Sequence, residues 1–281
     1  MRKIFICEYV TGGGYINKKI SKKLFIQANI ILKSLLNDFN KISNLKIIYT
    51  WDYRYKRTIN LKNTQCVFIK KNPWKIWSSL IKKSDFFFPI APESDGKLLK
   101  FVKFGNSQKN NLIGSDIVAI KTASSKYKTY KMFQKYSIPT IPTFKNIKKI
   151  NCKNYNKWVI KPDDGAGCEK NHIFSNKNKM LNFINLNKNY VIQPLIKGES
   201  YSANIISDKS KFKILNFNKQ KIFFNKKKIT FNGTKFLKKI AYEKKIKKYI
   251  DIIVSKLSGL NGFFGIDFII FKKQILFVDI N

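Results

Sequence analysis

Acidic residues are scarce in this sequence. Its 281 residues include 16 Asp and Glu against 56 Lys and Arg, a formal net charge of +40 at pH 7. Only Arg2, Arg54 and Arg57 are arginines, although proteins that recognise bases depend on the planar guanidinium fork. Lys is spread along the whole chain and shares AT-rich codons with the abundant Asn, Ile and Phe. An AT-rich genome would therefore produce this high net charge without selection for binding. The alternative, a polybasic nucleic-acid binder, remains open because such a charge attracts phosphate backbones.

Histidine and cysteine are also scarce. His172 is the single histidine, and none of the four cysteines lies in a C-x-x-C pair. Zinc sites need clustered Cys and His, and disulfide scaffolds need closely spaced Cys. We therefore expect no zinc site, no disulfide framework, and a reducing, cytoplasmic location.

Long apolar runs are absent as well. No stretch reaches the roughly 18 apolar residues of a membrane-spanning helix. The opening run MRKIFICEYV is short, contains Glu8 and leads into glycines, which favours a strand over a signal peptide. With 44% hydrophobic residues, the chain can still bury the cores of two or three compact units.

Short apolar runs alternate with helical periodicity through the first third of the chain. We predict strands at 4–7, 45–50, 66–69 and 85–90 and helices at 20–39 and 74–83. This alternation is typical of an open parallel sheet, whose strand ends face a ligand crevice. Glu8 and Glu93 fall on such ends, where they bind the ammonium of an amine substrate or cap their loops.

The remainder of the chain has an α+β pattern. Helices are predicted at 124–136, 177–186 and 242–257, and strands at 158–161, 172–174, 190–193, 200–206, 212–217, 221–224, 228–231, 262–271 and 274–280.

Three segments of this region carry residues suited to chemistry. Lys161 ends a strand before a glycine turn, which is typical either of a phosphate-binding loop or of a plain hairpin. The segment 191–200 joins two strands and is either an adenine-binding linker or an ordinary turn. The closing hairpin carries Asp267, Asp279 and Asn281. These residues are either ligands of Mg²⁺ on substrate phosphates, or their carboxylates form ion pairs with nearby Lys.

The order of these segments resembles the ATP-grasp superfamily across essentially the whole chain. The resemblance implies an α/β domain followed by two α+β subdomains that hold ATP, at 1–112, 113–192 and 193–281. It assigns nucleotide contacts to Lys126, Lys161, Gly165, Ala166, Gly167, Gln193, Leu195 and Glu199, with Lys161 as the catalytic residue. It assigns Mg²⁺ (or Mn²⁺) to Asp267, Asp279 and Asn281. Ser125 stands where the family usually has Asp, and Asp279 where it usually has Glu.

A narrower resemblance is to the ATP-grasp group that contains tyramine–glutamate ligase of methanofuran biosynthesis. It rests on the segments 8–14, 90–96, 161–169 and 218–220. The resemblance implies an ATP-dependent ligase that joins a small carboxylate to an amine through an acylphosphate, without specific nucleic-acid or membrane partners. The family usually continues beyond the segment that ends at Asn281, so a truncated, inactive nucleotide-binding remnant is the alternative expectation.

Overall fold

The structure is a computed structural model that describes residues 1–92, 94–109, 111–147, 150, 155–164, 170–187, 189–208, 211–225 and 228–281. The chain forms two compact units, one of Met1–Pro92 with Gly96–Gly114 and one of Ser115–Asn281 with a short segment before Gly96. The predicted domain boundaries, including the one within the second unit, stay predictions. Across the described ranges, every helix is too short or too polar to cross a membrane.

The first unit is a parallel sheet with helices on both faces. Its elements are β1 (Arg2–Glu8), α1 (Lys22–Phe39), β2 (Leu45–Asp52), β3 (Thr64–Ile69), α2 (Pro73–Lys83), β4 (Phe86–Ile90) and α3 (Lys97–Gln108). The strands lie in the order β3-β2-β1-β4, and each neighbouring pair is parallel. The predicted open parallel sheet is therefore confirmed, while α3 was not predicted.

Alternation along β1 divides the core of this unit into two layers. Ile4 and Ile6 pack with Leu32 and Leu36 of α1. Phe5 and Cys7 face the other way, towards the helices α2 and α3. Residues on both faces of β1 are buried, as expected for a strand inside a parallel sheet.

The second unit contains two antiparallel sheets. Its elements are α4 (Ile117–Ala123), α5 (Lys126–Lys135), β5 (Trp158–Pro162), β6 (His172–Phe174), α6 (Lys177–Leu186), β7 (Tyr190–Pro194), β8 (Glu199–Asp208), β9 (Lys211–Phe224), β10 (Ile229–Leu237), α7 (Glu243–Lys256), β11 (Gly262–Phe271) and β12 (Gln274–Ile280). The sheets have the orders β6-β5-β7 and β10-β9-β8-β11-β12.

The larger sheet has one apolar and one polar face. Its apolar face packs against α5 and α7 through residues such as Phe133, Ile250 and Phe268. The two strands predicted at 212–217 and 221–224 are one strand, β9, so that prediction was wrong. The polar residues between them do not break the strand, because Asn218 and Gln220 lie on the polar face of the sheet.

Candidate active site

Two carboxylates lie side by side on the polar face of the larger sheet. Asp267 of β11 and Asp279 of β12 are direct cross-strand partners, and such partners have Cβ atoms only about 5 Å apart. Burial, and then the charge of Asp279, raise the pKa of Asp267 to about 7. Burial also raises the pKa of Asp279, against the opposing charges of Lys126 and Lys161. The pair is therefore an electrostatically crowded site that favours a bound cation.

Two lysines from separate elements converge on this pair. Lys126 is the first residue of α5, and its Nζ lies 3.5 Å from Oδ2 of Asp279. Lys161 lies in β5, and its positive charge opposes the rise in pKa of both Asp267 and Asp279. The fold thus brings together four residues that the sequence analysis selected from three distant segments.

The oxygen donors of this site fit Mg²⁺. The side chain of Asn281 hydrogen-bonds Asp267, and its backbone pairs with Gly265 through two N–H···O bonds of 2.8 Å. Carboxylate and amide oxygens are hard ligands, and Mg²⁺ commonly takes one or two carboxylates together with phosphates and water. Within the described ranges, no group of three or more His, Cys, Asp or Glu is placed to hold a metal. A cation between the two carboxylates would relieve the repulsion that raises the pKa of Asp267.

Gln193 presents a buried acceptor that lacks a protein partner. It lies in β7 and is 3% exposed, and its Nε2 donates to Thr143 Oγ1 over 2.8 Å. Thr143 donates its own proton to the carbonyl of Ile141, which fixes the amide so that Oε1 is the free acceptor. Among the described side chains, this Oε1 is one of few buried atoms without a hydrogen bond. An unmet buried acceptor is costly, so the position fits an external N–H donor.

The linker after Gln193 provides backbone rather than side-chain groups. The N–H of Leu195 donates to the carbonyl of Lys157 over 2.9 Å. A ligand would therefore accept no hydrogen bond from the N–H of Leu195. It would instead bond to the carbonyl of Leu195 or to the N–H of Ile196. The assignment of Leu195 stays a prediction.

Glu199 opens β8 as an exposed carboxylate. It pairs with Lys219 Nζ and accepts a 2.8 Å hydrogen bond from the hydroxyl of Tyr201. The hydrogen bond from Lys219, then that from Tyr201, lower the pKa of Glu199. Glu199 is thus an ionised acceptor at the start of β8. Alternation along the strand places its side chain on the face of Tyr201, opposite to Ser202 and Asp267, so the ribose assignment stays a prediction.

Of the remaining predicted residues, the structure describes only Glu8. Glu8 is buried in the first unit, where Oε2 accepts from the N–H of Thr11 (2.6 Å) and from its hydroxyl (2.8 Å). Burial raises the pKa of Glu8, although these hydrogen bonds oppose the shift. This geometry favours the loop-capping alternative for Glu8. Gly165, Ala166, Gly167 and Glu93 fall outside the described residues.

The sequence analysis missed one contact of the carboxylate pair. Nε2 of Gln220 donates to Oδ1 of Asp267 over 3.0 Å. The segment 218–220 had been noted only as part of a family pattern. Continuous strand alternation through β9 was the available signal, because it places Asn218 and Gln220 on the same face.

Comparisons with known proteins bear on the family of this chain. A family model described as an ATP-grasp domain matches residues 123–281, and one described as a pre ATP-grasp 3 domain matches residues 45–120. Tyramine–L-glutamate ligase from Methanocaldococcus jannaschii is 30% identical over 286 residues, which cover 99% of this chain and 81% of that protein. The ligase of the same name from Methanocaldococcus fervens is 28% identical over 292 residues, covering 99% and 85%.

Solved structures share the fold. An ATP-grasp superfamily protein from Archaeoglobus fulgidus superposes with a TM-score of 0.73 at 20% identity, covering 100% of this chain and 80% of that one. D-alanine–D-alanine ligase from Bacillus anthracis in complex with ATP gives 0.63 at 15% identity, covering 100% and 86%. At these identities the likeness shows the fold alone.

Proposed function

This chain belongs to the ATP-grasp family, and on that premise we propose that it is an ATP-dependent ligase that joins a small carboxylate to an amine. The observation that carries the proposal is the pair Asp267 and Asp279 with Lys126 and Lys161 converging on it. Opposed carboxylates and lysines suit a metal-bound polyphosphate. The names of the two relatives make glutamate and tyramine the first substrates to test.

The proposed reaction has two steps. An oxygen of the substrate carboxylate attacks the γ-phosphorus of ATP, and the bond to the β-phosphate oxygen breaks, which releases ADP and leaves an acylphosphate. The amine nitrogen then attacks the acyl carbon, phosphate leaves, and the nitrogen loses a proton. The first step replaces a very poor leaving group, oxide, by phosphate.

The contribution of the protein is positioning and charge neutralisation. Lys126 and Lys161 would hold the phosphates, and Gln193 Oε1 would accept from the adenine amino group. Asp267, Asp279 and Asn281 would hold Mg²⁺, which neutralises charge on the phosphates when bound. Glu199 would accept from the ribose hydroxyls.

The sheet also indicates where the carboxylate substrate would lie. The linker that follows the adenine candidate Gln193 enters β8 at Glu199, about 10 Å before Ser202, the cross-strand partner of Asp267, at 3.3 Å per residue. A nucleotide that follows this direction points its γ-phosphate towards the next row, where Gly265 pairs with Asn204 and Asn281. The backbone at Gly265 leaves room for one more atom, since an added Cβ would make ordinary contacts, the nearest with Cβ of Asn281 at 3.8 Å. We infer that the carboxylate binds over Gly265, beside the Asn204 amide.

The test is ADP release from Mg-ATP with a panel of carboxylate and amine pairs, beginning with glutamate and tyramine. Release that requires both members of one pair supports the ligase and identifies its substrates. Stabilisation by Mg-ATP without turnover under any pair supports the remnant alternative instead. If Mg-ATP gives neither turnover nor stabilisation, the proposed nucleotide chemistry is overturned. The net charge would then favour the polybasic nucleic-acid binder.

A second arm tests the substrate position. Gly265→Val adds a side chain at this position, and its Cβ would make only ordinary contacts. We expect the KM for the carboxylate to rise by about ten-fold or more, since lost polar contacts cost about this much. The dissociation constant of Mg-ADP should rise less, although Cβ of Asn281 is the nearest atom. An unchanged KM for the carboxylate would contradict the position over Gly265.

A further inference from the structure

The first turn of α5 is capped by Asp163, which lies 38 positions after the N-cap residue Ser125 along the chain. Asp163 accepts from the N–H of Lys126 with its backbone carbonyl (3.0 Å) and from the N–H of Tyr127 with carboxylate Oδ1 (2.9 Å). Helix N-termini leave such N–H groups without partners inside the helix. Asp163 therefore satisfies two of them and places a negative charge at the positive end of the helix dipole.

Ser125, the N-cap of α5, completes this arrangement. Its hydroxyl accepts from the N–H of Lys128 at 3.2 Å and donates its proton to Oδ2 of Asp163 at 2.9 Å. A carboxylate at position 125 could cap the helix but has no proton to donate. It would also lie against Asp163, with like charges in a buried place.

Asp163 is held from the other side as well. Lys145 Nζ lies 2.9 Å from Oδ2, and the backbone N–H of Asp163 donates to the carbonyl of Asn189 at 2.9 Å. Although Asp163 is only 5% exposed and burial by itself would raise its pKa, the hydrogen bonds and the charge of Lys145 lower it. Asp163 is therefore an ionised, fully engaged carboxylate.

The position of Asp163 gives these contacts a consequence for the candidate site. Lys161 precedes it by two residues on β5, and Lys126 is the first residue of the helix that it caps. The same side chain thus joins the segments that carry both lysines. A shift at this junction would change the separation of the two ammonium groups that converge on Asp279.

We propose that Asp163 is a positioning residue that fixes Lys126 relative to Lys161 for phosphate binding, and that Ser125 is its required partner. The inference rests on the proposed function, because it assumes that the two lysines bind the nucleotide. At this junction the carboxylate is supplied by Asp163 and the hydroxyl by Ser125. Exchanging the two groups should preserve the junction.

The experiment measures the dissociation constant of Mg-ADP by calorimetry for five proteins: wild type, Ser125→Asp, Asp163→Ser, the exchanged double variant, and Asp164→Ser. Asp164 is the matched control, because it loses the same charge one residue along but contacts Asn189 rather than α5. We expect each single change at the junction to weaken binding by about ten-fold or more, as for the loss of a charge-assisted hydrogen bond. The double variant should return to within about three-fold of wild type.

Several outcomes would overturn the proposal. Asp163→Ser with the affinity of wild type, or a double variant no better than the weaker single variant, contradicts the positioning role. An equal loss of Mg-ADP affinity in Asp164→Ser would mean that the negative charge of this segment, and not the contact with α5, determines binding. If Asp163→Ser fails to fold by circular dichroism, Asp163→Asn and the double variant carry the same comparison. Wild type that binds no Mg-ADP refutes the proposed function instead, so the two failures are distinguishable.

Discussion

Buried carboxylates occur in both units of this protein, but their surroundings differ. In the first unit, Asp52 is fully buried. Arg54 donates hydrogen bonds to both of its carboxylate oxygens, with Nη2–Oδ2 at 2.6 Å. In the second unit, Asp267 and Asp279 face each other, and Lys126 approaches only to 3.5 Å. A carboxylate satisfied by its own neighbours stabilises the fold, whereas two that crowd each other retain the capacity to bind something else.

Arg54→Met should produce the largest effect on stability. It leaves Asp52 buried without a countercharge, which typically costs about 3–5 kcal/mol. Arg54 also donates to the carbonyls of Tyr15 and Lys18, so its loss loosens the segment that joins β1 to α1. Thermal denaturation should show a midpoint lower by roughly 10 °C. Mg-ADP affinity measured below the transition should not change; a parallel loss of affinity would contradict a purely structural role.

Lys161→Ala should produce the largest effect on activity. Removing one preorganised charge at a transferring phosphoryl group lowers kcat by about 10²-fold or more. Steady-state release of ADP measures it, with Lys157→Ala as the control, since Lys157 is an exposed lysine just before the same strand. Equal rates in the two variants would contradict the role of Lys161.

The pH dependence of stability should reveal the crowding of Asp267 and Asp279. The raised pKa of Asp267, about 7, means that the folded protein holds this proton when the unfolded chain has released it. Between about pH 4 and 7 the folded state therefore binds more protons, and the free energy of unfolding falls as pH rises.

Asp267→Asn should reduce that fall, while burial still raises the pKa of Asp279. Urea denaturation without Mg²⁺, at pH 5 and pH 8, compares the variant with wild type and with Asp251→Asn, an exposed position on α7. Each unit of pKa corresponds to about 1.4 kcal/mol, so the difference is measurable. The same pH slope in wild type and Asp267→Asn would show that the crowded pair does not titrate as described.

Glu199→Gln should have the smallest effect. The pair with Lys219 is largely exposed, and such pairs contribute about 0–1 kcal/mol, so the denaturation midpoint should barely move. If Glu199 accepts from the ribose, Mg-ADP affinity should fall by about five-fold. Titration with 2′,3′-dideoxy-ADP provides the control, because both proteins should bind it equally; a loss that persists there contradicts a ribose contact.

Much of the fold was accessible from local pattern. The closing hairpin has the predicted bounds, Gly262–Phe271 and Gln274–Ile280, because two nearly continuous apolar runs are separated by the lysines at 272 and 273. The helix α3 was not predicted, because its lysines interrupt the apolar periodicity. Its buried face consists of Phe101, Val102 and Gly105. The break proposed within β9 was wrong because polar residues there serve the polar face of a sheet.

The sequence by itself determined which residue types were available for chemistry: Lys126 and Lys161, the acceptor Gln193, and the pair Asp267 and Asp279. Only the tertiary structure decided that Gln193 retains an unmet acceptor and that Asp163 caps a helix 38 residues away. The physical reason is that hydrogen bonds and charge crowding depend on atoms brought within a few ångströms by the whole fold. Periodicity along the chain reports only which face a residue occupies.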